Sequence, residues 1–77
     1  MYYNYIRIVK DLYAMLDNPE NREFESTIRI MLDETMFHFV EAHAVPFERR
    51  EEFLTTMFYD CPQAIADYKI KKFEYVS

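Results

Sequence analysis

The side chains best equipped for chemistry gather in one run, Glu34, His38, Glu41 and His43, the last three within His-Phe-Val-Glu-Ala-His. On a helix, positions 34, 38 and 41 share a flank, since residues three and four apart are neighbours. A nitrogen donor between two oxygen donors is the raw material of a mixed-ligand metal site. His43 lies five residues past His38 and so turns away from that flank. The run also matches neither the His-Glu-x-x-His nor the His-x-x-Glu-His zinc spacing. A solvated helix flank carries the same residues without any metal, so no metal ligands are assigned and metal binding stands only as an alternative reading.

Cys61 precedes Pro62 at a helix start, where a helix dipole can activate a thiol. It also falls in register with Leu54 and Phe58 on an apolar face, where a thiol behaves as a small buried hydrophobe. No base is placed beside it. The chain contains no glycine, which removes the nucleophile elbow and the glycine-rich loops that cradle phosphates. No catalytic residue and no cofactor is assigned, and enzymatic activity is not expected.

Lys69, Lys71 and Lys72, interleaved with Tyr68, Phe73 and Tyr75, have the composition of a strip that holds single-stranded nucleic acid. Lysines in the last turns of a helix equally complement its negative pole. A formal net charge of −5 opposes a general grip on phosphates, so nucleic acid is not an expected partner. The reverse idea, mimicry of a nucleic acid by Glu48, Glu51, Glu52, Asp60 and Asp67, is a variant of protein binding.

These groups need elements to hold them, and residues 24–45 organise the rest. At helical spacing this stretch carries two apolar stripes, Phe24, Ile28, Met31, Leu32, Thr35, Phe39 and Ala42 on one side and Ile30, Phe37, Val40 and Ala44 on the other. A helix apolar on two sides is expected to be covered on two sides, which makes it the centre of the fold. Asn18 can cap it and Pro19 suits its first position. It would run from about residue 19 to Ala44, roughly 35 to 40 Å at 1.5 Å per residue, with Pro46 ending it.

Residues 2–16 place Tyr2, Tyr5, Ile6, Val9, Leu12, Tyr13 and Leu16 at three-four spacing, which predicts a first amphipathic helix. A third helix opens at Pro46 with the face Phe47, Phe53, Leu54, Met57, Phe58 and Cys61. A fourth opens at Pro62 and is expected to continue through Tyr75 and Val76, leaving Ile70 and Phe73 off its stripe. The fold class is therefore all-α, a bundle of three to four helices around a long central helix, in a single domain over residues 1–77. The alternative is an α+β fold with short paired terminal strands.

At 77 residues, half of them apolar and 18% aromatic, the chain should fold, but with a core that supplies only about 3–5 kcal/mol of net stability. One cysteine and no basic apolar leader point to a cytoplasmic protein. Charges interrupt every apolar run, so no membrane partner is expected. The seven tyrosines and the apolar residues outside the stripes exceed what such a bundle can hide. Tyr and Met are enriched where proteins meet. Candidate partner-binding residues are Ile8, Met15, Ile30, Phe37, Val40, Tyr59, Phe73 and Tyr75. The expected function is that of a small acidic, non-enzymatic protein-binding module that forms a homodimer. Compact acidic chains of this kind are the type that phages and mobile elements encode as inhibitors occluding a host protein, an expectation from type alone.

Overall fold

A computed structural model describes residues 2–71 of the protein. Its elements are α1 (Tyr2–Asp17), a 3₁₀ helix (Pro19–Phe24), α2 (Glu25–Ala42), a 3₁₀ turn (Phe47–Arg49), α3 (Arg50–Met57) and α4 (Pro62–Tyr68). The fold is all-α, and no strand occurs among the described residues. The chain is already helical at Tyr2, so the paired-strand alternative fails at its first partner. The three-four periodicity that continues unbroken to Leu16 outweighs the sheet preference of Tyr, Ile and Val in its first half.

α1 turns Val9, Leu12 and Tyr13 fully inward, with Tyr5, Ile6 and Leu16 at the margins. At the next junction the Asn18 side chain accepts the Glu20 backbone N–H at 3.0 Å, and Asn21 donates its amide to the Met15 carbonyl at 3.2 Å. Pro19 takes the first helical position, as its missing donor allows. The long central helix is nevertheless interrupted. Residues 19–24 coil as a 3₁₀ helix with nothing buried, because no apolar side chain before Phe24 anchors them to the core. α2 proper is therefore 18 residues, about 27 Å long.

α2 buries one side, not two. Ile28, Leu32, Met36 and Val40 form an unbroken i, i+4 row joined by Phe39. Ile30 is 58% exposed, as are Met31 and Phe24 to similar extents. The Tyr5 ring lies 5.6 Å from that of Phe39, while the end of α1 meets the start of the 3₁₀ helix, so α1 and α2 run antiparallel. α3 and α4 form a second, shorter pair. They reach the first through Phe39, whose ring meets Phe53 at 5.3 Å and Phe58 at 5.6 Å.

α2 ends in a Schellman motif, with the Val45 N–H bonded to the Val40 carbonyl at 3.1 Å and the Ala44 N–H to the Glu41 carbonyl at 2.9 Å. The motif requires a left-handed residue, normally glycine. In a chain without one, Ala44 takes it at φ 52°. Val45, which completes the motif, packs on the core.

α4 is tied down by polar contacts. The Tyr13 hydroxyl donates to Asp67 at 2.7 Å and the Tyr68 hydroxyl to Asp33 at 2.6 Å. Lys10 reaches Asp60, just before α4, at 2.6 Å. α4 stops at Tyr68 rather than continuing toward Val76, and Ile70 beyond it is 72% exposed. The expected course through Tyr75 and Val76 lies outside the described residues.

Candidate protein-binding surface

The core row of α2 fixes which side chains face outward. Ile30, Glu34, Phe37 and Glu41, at i, i+4, i+7 and i+11, form the face opposite that row. Glu34 and Glu41 are exposed and Phe37 is half-buried, giving a mixed apolar and acidic strip. Ile8 and Met15, seven residues apart, form a similar exposed pair on α1. Tyr59 is 78% exposed in the turn between α3 and α4.

Val40 does not belong to such a surface. It is only 5% exposed and sits in the core, because the i+4 row from Ile28 carries it inward, away from Ile30. Phe37 and Val40 nevertheless meet at an open groove of about 410 Å³ beside the Schellman turn, walled also by Glu41, Ala44, Val45, Phe47 and Arg50. Phe73 and Tyr75 lie outside the described residues. The six described candidates thus fall into an exposed α1 pair, an α2 group in which Ile30 is exposed, Phe37 half-buried and Val40 buried, and an isolated tyrosine.

Arg50 was not singled out by its sequence, yet it is the one charged residue buried among those described, at 8% exposure. Its guanidinium lies 5.0 Å from the centre of the Phe47 ring and donates to the Lys71 carbonyl. Burial pushes its pKa down from the ordinary arginine value, but arginine starts so high that it keeps its charge. The signal available in sequence was its position four residues before Leu54, on the inward side of α3.

The remaining constellations disperse. Glu34, His38 and Glu41 are all exposed, whereas His43 is wedged between Phe39 and Phe53, with ring centres 4.9 Å from each. Among the described residues no three His, Cys, Asp or Glu side chains gather to hold a metal. Cys61 is buried at the start of α4. Of the basic run, Lys71 pairs with Asp33 at 2.9 Å and Lys69 with Glu51 at 3.9 Å, and Lys72 lies outside the described residues. Of the mimicry carboxylates, Glu51 meets Lys69, Glu52 meets Arg49, Asp60 meets Lys10 and Asp67 accepts from Tyr13, so these carboxylates are engaged within the chain. Among the described residues no helix is long and apolar enough to cross a membrane. No protein-family model, curated protein or solved structure matches the chain.

Proposed function

We propose that this chain is a non-enzymatic protein-binding module that covers or bridges a protein partner through the outward strip of α2. The observation that carries the reading is Ile30. A β-branched apolar side chain 58% exposed in the middle of the longest helix adds nothing to the core. With Met31 and Phe37 beside it, it offers apolar area of the kind that interfaces bury. Glu34 and Glu41 border the same strip and, with the net charge of −5, favour a partner with a basic rim. Occlusion of a host protein, the inhibitory mode, needs only such a surface and no catalytic group. A second copy of the chain offers the same apolar residues for a two-fold dimer, the commonest soluble assembly. A lone buried thiol supports a reducing, cytoplasmic setting.

The test is affinity capture from the native host with the wild-type chain and with Ile30→Glu, both checked for unchanged circular dichroism. A partner retained by the wild type and lost with Ile30→Glu is expected. A partner held equally by both, and lost instead with Ile8→Glu or Tyr59→Ala, would move the surface elsewhere.

A further inference from the structure

The α1–α2 hairpin has two flanks, and α4 holds one of them. On α1 that flank carries Lys10, Tyr13 and Asp17, which meet Asp60, Asp67 and Gln63. On α2 it carries Asp33, which accepts from the Tyr68 hydroxyl, and Arg29, which lines a cleft with Asp67. At about 100° per residue, Ile8 and Met15 lie half a turn round α1 from these contacts, and Met31 and Thr35 lie nearly as far round α2. Ile8, Met15 and Met31 are 45%, 42% and 45% exposed. Met31 follows Ile30 in sequence but is turned about 100° from it. The hairpin thus presents a second exposed face, away from α4 and apart from the Ile30 strip.

We propose that this face seats a second copy of the chain, the two hairpins closing into a four-helix bundle. Charge separates the face from the strip. A seam along the strip would set the exposed Glu34 and Glu41 against the same carboxylates of the copy, and juxtaposed like charges oppose association. On the hairpin face Asp11, in the row between Ile8 and Met15, is the acidic residue to be accommodated. A two-fold axis running along the hairpin lays α1 of each copy over α2 of the other, so that neighbouring helices are antiparallel, as in an up-and-down bundle. The two Asp11 side chains then fall on opposite sides of the axis instead of meeting. The Tyr5–Phe39 contact sets the levels: Ile8 comes opposite Thr35 of the second copy and Met15 opposite its Met31, with Asp11 close to the level of that Thr35 hydroxyl, a donor. Size fits as well. Helices of 16 and 18 residues lying side by side make a face about 20 Å wide and about 25 Å long, on the order of 500 Å² before side-chain relief is counted. That approaches the roughly 800 Å² per partner of a standard stable interface. The inference is independent of the proposed partner at Ile30.

The test is light scattering on the full chain at high micromolar concentration, with circular dichroism to follow the fold. The wild type is expected at twice the chain mass. Met15→Glu should halve that mass and Ile30→Glu should leave it doubled, both with unchanged dichroism because both side chains are exposed. A wild type at the single-chain mass would overturn the proposal, as would a doubled mass that survives Met15→Glu or is lost with Ile30→Glu. A second measurement needs no variant. In a mixture of isotope-labelled and unlabelled wild type, nuclear Overhauser contacts between chains are expected from the Ile8 methyls to the Thr35 methyl, and a doubled species whose assigned spectra lack them would equally defeat the proposal. Capture of a foreign partner through Ile30 is read in a separate assay, so the failure of either idea leaves the other standing.

Discussion

Tyr13 and Tyr68 are the two buried phenols whose hydroxyls rest on carboxylates, Asp67 and Asp33. Burial, reinforced by those carboxylates, pushes both phenols above their ordinary value. The folded chain keeps both protons where an unfolded one releases them. Their stabilising effect is therefore complete below about pH 10 and declines as pH rises beyond it. Tyr13→Phe should cost about 1.5–3 kcal/mol in urea unfolding at neutral pH, the worth of a hydrogen bond to a charged group. The gap between wild type and variant should narrow above about pH 10; a gap that widens there would contradict this account. A second residue-scale expectation concerns Ala44, held at φ 52°. Left-handed backbone costs a non-glycine residue about 1–2 kcal/mol, partly offset by the larger unfolded-state entropy of glycine. Ala44→Gly should accordingly raise stability by about 0.5–1 kcal/mol, and Ala44→Val should lower it, both read from urea midpoints.

At the scale of elements, α3 and α4 have eight and seven residues, too few to persist as isolated helices. They exist because Leu54, Phe58, Ala64 and Tyr68 are buried against the rest. Leu54→Ala should remove about 2–5 kcal/mol, comparable to the whole net stability expected of so small a core, and leave the helical dichroism signal largely lost at room temperature. Ile30→Ala should leave it intact. The helix starts were legible because Asn18, Pro19, Pro46 and Pro62 act locally, through a side-chain cap or a fixed φ. The packing of α2 was less so. Both stripes were assigned by apolar identity, which recruited Ile30 and Phe24 and passed over Met36, although the i+4 row from Ile28 to Val40 runs through it. Tyr13 and Tyr68 read as surplus aromatics, since nothing local announces that Asp67 and Asp33 will stand opposite them from distant positions. The inward position of Arg50 was readable from its i, i+4 spacing to Leu54, but its carbonyl partner, 21 residues away, was not.

For the whole molecule, the question is how a thin core is supplemented. If the α2 strip forms a two-fold dimer, light scattering should return twice the chain mass at high micromolar concentration. Ile30→Glu should then return the single-chain mass with unchanged dichroism, because its side chain is exposed and the core is untouched. A wild type that stays single at that concentration would sink the dimer and leave a foreign partner as the proposed means of covering the strip.

The contacts that fasten the end of the chain to its beginning also set an order of events. Lys10 with Asp60 and Tyr13 with Asp67 span 50 and 54 positions, whereas α1 and α2 are joined by only the short 3₁₀ stretch. Closing a longer loop costs more entropy before any contact repays it. The α1–α2 hairpin is thus the natural nucleus, with α4 arriving last and leaving first. Backbone amides of α4 should exchange with deuterated solvent through openings that leave α1 and α2 protected, so the chain comes apart from the end at which its two buried phenols are latched.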